Sequence, residues 1–526
     1  MWAAPMTFAR RWDAAVKTSG ERPFLVFEGP DGSVSRWTYR EFDEVVSRME
    51  VTLVTAGVAH GSSVHIAARN CPAFIAIWLA CARTGAWMVP VDPTSTARDI
   101  GRQVDRVRPV AGICAASRAD VYTAGVKESG AGHLATIELT ETAADVSLAA
   151  RAPRRAPAPG HAVAPTDRLA VMFTSGTTSE QKCVVLTQHN YENVADAMSS
   201  IVGLRPEHRW LVTLPLFHAN AQYYCIAPAI AVGASVALTS AFSASQWPRQ
   251  ARELGATHAS LFAAPIRMIL ARRPAGAPAA RLEHVWFAQN LGAQHYDEFT
   301  ALAGCRPRQL YGMTETVAIV CADVSDPYRN DTIGPPIAGR QVSLRIPETG
   351  ADAPAGQPGE LVLGGVPGQD LFLEYLDDPA ATGRAFEQRD GATWFHTGDL
   401  VARAADSADS ADRAGGKALR FVGRRDDVIK VSGENVSLTE VEATLAQAPG
   451  VLECAVLGRP DPVRDTVPVA YVVPRDREHP PAIEDLAEWA GRNLAAAARP
   501  RDWHLIDALP RTSVGKVRRF KLRKGP

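Results

Sequence analysis

Short apolar runs alternate with helix-period segments through the first third of the chain. Ser63–Ala67 is followed by Pro72–Thr84, apolar nearly all round, then by apolar runs at 87–91 and 110–115. Strand-length runs separated by helical patterns predict βαβ units and a mostly parallel sheet. A second α/β stretch opens with Leu169, Ala170, Val171, Met172 and Phe173, which together read as a buried strand, and extends to about residue 332. From about residue 339 to about 421 the pattern changes to short strands and turns, as at Gly359–Gly364, and predicts a small β subdomain. The last hundred or so residues read as a separate α+β unit. There Ser437 and Glu440 have capping-box spacing ahead of Val441 and Leu445, Val467, Val469, Tyr471 and Val473 alternate like a half-buried strand, and Ile483, Leu486 and Trp489 share a helical face.

Length and composition narrow the function classes. A chain of 526 residues is too long for one core, so a large body with subdomains plus a smaller domain is expected. Its 56 basic and 57 acidic side chains nearly cancel, leaving no electrostatic footprint for nucleic acid or anionic lipid. The eight cysteines are scattered without metal-site spacing, which fits a reduced cytoplasm, and no signal-peptide pattern follows Met1. Residues 219–248 carry no charge, but Asn220, Gln222, Pro228 and Gly233 favour a buried helix and strand over a membrane span. Residues 149–165 and 404–416 read as a surface connection and a solvated loop.

Candidate chemistry begins where the strand at 169–173 ends. Thr174, Ser175, Gly176, Thr177, Thr178 and Lys182 form a loop of hydroxyls, a glycine and a lysine, suited to gripping phosphate. Four later segments add to it: Tyr311, Gly312, Met313, Thr314, Glu315 and Thr316; Trp394 through Asp399 and Leu400; Gly423 and Arg424 through Asp426, Lys430, Gly433 and Asn435; and Pro510 through Lys516 and Val517. Activation of a carboxylate by ATP needs donors around the triphosphate, a carboxylate for a metal ion, a ribose clamp and a mobile cation. The types present match. Tyr311 offers an aromatic face for adenine, Thr314 a hydroxyl for the α-phosphate and Glu315 a hard oxygen ligand for Mg²⁺. Asp399, expected in a turn, has two oxygens for two ribose hydroxyls, and Arg424 adds a charged donor.

The order and spacing of these five segments resemble the adenylate-forming superfamily of acyl-CoA synthetases, nonribosomal adenylation domains and luciferases. The look is nearest the carnitine/crotonobetaine-type CoA ligase branch. The resemblance implies an α/β fold: a large N-terminal domain (1–425) of two α/β subdomains plus a small β-barrel subdomain, then a small mobile α+β domain (426–526). It implies ATP or acyl-AMP, coenzyme A and Mg²⁺ as cofactors. It also implies Lys516 as the adenylation lysine, Asp426 as the hinge, and Lys430 and Gly433 as the face turned to the pantetheine thiol. His218 falls beside the acyl carboxylate, while Gly292, Ala293 and residues 289–294 and 318–320 line the acyl and adenine pockets. His189 and Asn190 are expected to order a helix start, and Trp286 and Phe287 to be core.

The phosphate loop departs from the family at Gln181, where a proline is usual, and at Cys183, where a glycine is usual. A Cβ at a position that needs an unusual dihedral, with Glu180 near a triphosphate, predicts weak pyrophosphate binding. The expected activity is ATP-dependent formation of a CoA thioester through an acyl-adenylate. Alternatives are an enzyme acting only on preformed acyl-adenylate, a luciferase-like oxidase, a carrier-protein-loading enzyme and a non-catalytic sensor. The partners are a small carboxylic acid, ATP and CoA, with no nucleic acid and no membrane; oligomeric state is open, a homodimer included.

Overall fold

The computed structural model describes residues 6–131, 134–146, 162–174, 181–274, 276–289, 291–324, 332–354, 356–404, 418–431, 434–462, 464–511 and 517–522. Ser175, Gly176, Thr177, Thr178, Glu180, Gly433 and Lys516 lie outside the described residues, as do 405–417 and most of 149–165.

The alternating pattern of the first third becomes a parallel sheet of Arg168–Thr174, Trp87–Pro90, Ser63–Ala67, Ala111–Ala115 and Ala135–Leu139. Lys182–Thr187 adds antiparallel to Arg168–Thr174, and Glu374–Tyr375 adds to that edge. The helix Pro72–Thr84 is apolar all round because it is buried nearly all round; Pro72 starts it and Gly85, at φ 70°, stops it.

A second, eight-stranded sheet holds Arg308–Tyr311, His284–Ala288, His258–Phe262, Arg209–Val212, Ser235–Thr239 and Pro23–Glu28 in parallel, with Cys321–Ala322 and Val34–Thr38 as antiparallel edges. The N-terminal hairpin 23–38 thus leaves the first third of the chain to complete this later sheet. Residues 219–248 form short helical turns through Val232 followed by the buried strand Ser235–Thr239. No helix among the described residues is long and apolar enough to cross a membrane. Trp286 and Phe287 are fully buried on opposite faces of the sheet, packed in different core clusters.

The small β subdomain is a five-stranded antiparallel sheet built from Gln341–Arg345, Gly359–Gly364, Phe386–Arg389, Ala392–Arg403 and Leu419–Arg424. The C-terminal unit has its own sheet, in which Glu434–Ser437, Val428–Val431, Asp465–Pro474 and Val451–Asp461 pair antiparallel and Asp502–Leu505 pairs parallel. Ser437 caps Leu438–Leu445 by accepting from Glu440 N–H. One expectation fails in this unit. The strand Asp465–Pro474 is buried on both faces, since Ala470 and Val472 face the helices while Val473 packs in a second cluster with Leu509 and Leu522. Ile483 is exposed although Leu486 beside it is buried.

Candidate active site

The phosphate loop closes a β-hairpin. Thr174 pairs with Lys182, so the loop leaves and re-enters the sheet at the same level and its lysine is held by a ladder position. Cys183 sits one step further, opposite Phe173, in ordinary strand conformation with its side chain among Val89, Val91, Val185 and Leu376. The expected penalty for a missing glycine is therefore corrected: the Cβ points into core and the backbone there needs no left-handed dihedral. The hairpin ends in a helix start, as His189 and Asn190 suggested. Thr187 and Asn190 cap Gln188–Val202 reciprocally, and the Asn190 amide also donates to the carbonyls of Gln369 and Leu371.

Tyr311 and Asp399 meet from sequence-distant elements. Tyr311 ends the strand Arg308–Tyr311, and its hydroxyl donates to Asp399 Oδ2 at 2.6 Å. Asp399 is not in a turn: it lies inside the long strand Ala392–Arg403. A bulge presents it, because Glu360 pairs with Leu400 and Val362 with His396, leaving Leu361 opposite three residues. Gly398, at φ 71°, absorbs the extra length. The bulge is pinned by Gly398 N–H donating to Glu360 and by Thr397, whose hydroxyl donates to the Leu361 carbonyl and accepts from Asp399 N–H. Cross-strand from Asp399 stands Arg424, whose Nε is 3.0 Å from Oδ1. Burial lowers the Arg424 pKa, but the negative charges of Asp399 and Glu315 outweigh it, so the guanidinium is held charged. Burial, then the Asp399 carboxylate, push the Tyr311 phenol well above its ordinary range. A carboxylate only accepts, at about four positions, which is the chemistry that a ribose diol requires.

Thr314, Glu315 and Thr316 form one 3₁₀ turn directly after Met313. Gly312 is small for a packing reason, since a Cβ there would lie 2.9 Å from the Tyr224 hydroxyl and 3.2 Å from Ile319 Cα. Glu315 is buried, and its Oε1 accepts from the Tyr375 hydroxyl at 3.1 Å. The ring of Tyr375 lies 4.7 Å from Lys182 Nζ, so Lys182 and Glu315 share one neighbour. Among the described residues no group of three His, Cys, Asp or Glu is arranged to hold a metal ion. One carboxylate with spare acceptor positions suits Mg²⁺, which takes few protein ligands and completes its shell with phosphate oxygens and water. After the turn, Val317 has φ 63°, a strained value for a β-branched residue. Arg340 braces it: the guanidinium donates to the carbonyls of Thr316, Ala318, Ile319 and Asp370. Neither Arg340 nor Tyr375 stood out in the sequence.

His218 caps the short turn Ala219–Ala221 at the end of the loop that follows Arg209–Val212, its ring 4.3 Å from that of Phe217. Asn70 holds this loop through the carbonyls of Leu214 and Thr239 and the amide of Leu216, and Gln222 donates back to Leu216. Gly292 caps the helix Ala293–Ala303, and its Cα faces Gln447 of the C-terminal unit. Ala318, Ile319 and Val320 are buried in the main core. Asp426 lies in the turn Arg425–Asp427 joining the β subdomain to the C-terminal sheet, and Lys430 is exposed on Val428–Val431 opposite Asn435. Arg511 and Val517 pair across the ends of the 512–516 segment. Lys182, Thr314, Glu315, Tyr311, Asp399 and Arg424 are brought to one region; Lys430 lies on a separate unit.

The AMP-binding enzyme family model matches residues 12–376, and the AMP-binding enzyme C-terminal domain model matches residues 440–516. A crotonobetaine/carnitine–CoA ligase of Shigella flexneri is 30% identical over 521 residues, covering 97% of this chain and 98% of its own. An anthranilate CoA ligase, AuaEII, solved in complex with anthranoyl-AMP, superposes with a TM-score of 0.86 at 22% identity over 99% of this chain and 97% of its own. A benzoate CoA ligase from Burkholderia xenovorans LB400 gives 0.84 at 23% identity, over 99% of this chain and 100% of its own. At those identities the two structures speak to fold alone, but the family models and the 30% relative extend over nearly the whole length, and the chain belongs to the AMP-binding enzyme family.

Proposed function

We propose that the protein is an acyl-CoA ligase that converts a carboxylic acid into its CoA thioester through an acyl-adenylate, using ATP with Mg²⁺. The observation that carries this is the joining of two half-sites. Lys182 and Glu315 share Tyr375, Tyr311 and Arg424 share Asp399, and the Arg424 charge responds to both Asp399 and Glu315.

In the first step an oxygen of the acid attacks the α-phosphorus of ATP, a new P–O bond forms, and the bond to pyrophosphate breaks. Thr174, Ser175, Gly176, Thr177, Thr178 and Lys182 grip the β- and γ-phosphates, and Thr314 donates to the α-phosphate. Asp399 accepts from the ribose hydroxyls with Arg424 beside it, and Tyr311 and Gly312 back the adenine. Mg²⁺ held through Glu315 would neutralise phosphate charge. Lys516 bridges acid and α-phosphate as charge develops, and His218 orients the acid. In the second step the CoA sulfur attacks the acyl carbon, the C–O bond to AMP breaks, AMP leaves, and the thiol proton passes to solvent. Residues 426–526 turn about Asp426 between the steps and present Lys430 and Gly433, a gate of the kind that excludes water. The two family matches, one ending at residue 376 and the other beginning at residue 440, leave room for a boundary at residue 425. A reducing cytoplasm suits the eight unpaired cysteines, six of them buried.

The test is a panel of carboxylic acids, crotonobetaine and carnitine included, incubated with ATP, Mg²⁺ and CoA. Mass spectrometry should find acyl-CoA, AMP and pyrophosphate in equal amounts for at least one acid. Thioester from synthetic acyl-adenylate without any ATP-dependent product would favour the enzyme that uses only preformed adenylate.

A further inference from the structure

Lys182 and Glu315 are opposite charges beside one oxygen atom, yet they do not pair with each other. The Tyr375 hydroxyl stands between them, 3.5 Å from Lys182 Nζ and donating to Glu315 Oε1 at 3.1 Å. Its position follows from the ladder. Glu374–Tyr375 pairs antiparallel with Lys182–Thr187, Tyr375 opposite Val184 and Glu374 opposite Val185. Lys182 and Val184 lie on one face because side chains alternate along a strand, which puts the lysine over the tyrosine ring.

The segment carrying Tyr375 is fixed at many points. Phe372 N–H donates to the Glu315 carbonyl at 2.9 Å, so the same segment holds both the backbone and the carboxylate of Glu315. Thr187 donates to the Gly368 carbonyl, Tyr375 N–H donates to Thr382, and Arg168 pairs with Glu374. Tyr375 itself is 3% exposed and packs its ring 4.7 Å from that of Phe372. A phenol, with an ordinary pKa of about 10, is protonated at neutral pH and so meets the carboxylate as a donor.

A direct Lys–Glu ion pair would hold both groups against each other and remove them from phosphate and metal. A neutral hydroxyl between them occupies one of about four acceptor positions on the carboxylate and leaves the ammonium its other donors. We propose that Tyr375 is a positioning residue that keeps Lys182 and Glu315 apart and aimed at the Mg²⁺–pyrophosphate part of ATP. This rests on the functional reading above, in which Lys182 grips phosphate and Glu315 serves the metal. Its consequence is confined to the first half-reaction, because the thioester step involves no pyrophosphate.

The experiment is Tyr375→Phe, which keeps the ring and removes the hydroxyl. Acid-dependent pyrophosphate exchange should fall about 10- to 100-fold, the scale of a lost hydrogen bond to a charged group, with the Mg²⁺ concentration at half-maximal rate raised. Conversion of synthetic acyl-adenylate plus CoA to thioester should stay within about twofold of wild type, and that activity also certifies a folded variant. Unchanged exchange in the variant, beside normal exchange in wild type, would overturn the inference alone. Equal loss of both half-reactions would overturn it too, by assigning Tyr375 a general structural role. Absence of exchange in wild type with every acid would overturn the functional reading, and the inference with it.

Discussion

Acidification should destabilise this fold through imidazoles that are buried neutral, and the size follows from two of them. His65, on Ser63–Ala67, is enclosed with Tyr122 and Gln103 as partners; burial pushes its pKa down to about 4, against a smaller upward pull from Gln103. His258 starts the strand His258–Phe262, its ring tilted against those of His208 and His284 at 4.5 and 5.6 Å; burial, then His208 and Arg205, push it down to about 3. His284 is lowered by burial, then His258 and Arg308, and Glu283 faces the cluster from His208. Because the folded values lie below the unfolded value of about 6.5, the unfolded chain binds protons first as pH falls. The stabilisation is therefore complete above about pH 6.5 and is lost towards the folded pKa. Each such histidine costs about 1.4 kcal/mol per pH unit in that window. At pH 5 that is about 2 kcal/mol each and about 4 kcal/mol for His65 and His258 together, a large share of an ordinary domain stability of about 5–15 kcal/mol. Urea denaturation at pH 7.5 and pH 5, on wild type and His258→Gln, isolates one group from carboxylates such as Glu442 whose burial-raised pKa works the other way. The variant should lose about 2 kcal/mol less than wild type on acidification. Equal losses would refute the reasoning.

Two further substitutions address the site. Gly312→Ala should lower kcat/KM and cost about 1–3 kcal/mol of stability through overpacking against Tyr224 and Ile319; adding Tyr224→Phe removes the nearer clash and should restore part of both, as steady-state kinetics and thermal melts would record. Cys183→Gly should leave pyrophosphate exchange unchanged while costing about 2–3 kcal/mol, because it empties a buried strand position and loosens the backbone; faster exchange in this variant would mean that the loop does need a glycine there.

Much of this was legible from local pattern. The strand at 168–174 and the alternating first third announce themselves within a few residues, because strand period and helix caps are local properties. What escaped depends on partners far along the chain. Tyr375 looks like one aromatic in an apolar stretch until Lys182 and Glu315 are placed on either side of it. Arg340 is one arginine among many, and only the backbone carbonyls it gathers, beside the strained Val317, set it apart. Asp399 read as a turn residue because Thr-Gly-Asp is turn-like, whereas Leu361 on the neighbouring strand makes it a bulge. The concern over Cys183 failed similarly: a motif comparison marks a missing glycine, but only the ladder shows that the backbone there is ordinary strand.

The most direct test of the central claim is a crystal structure with an acyl-sulfamoyl adenosine, a stable mimic of the acyl-adenylate. The account predicts both ribose hydroxyls on the Asp399 carboxylate, the sulfamoyl group beside Thr314 and the adenine against Tyr311. An adenosine seated elsewhere, with neither ribose hydroxyl on the Asp399 carboxylate, would contradict it.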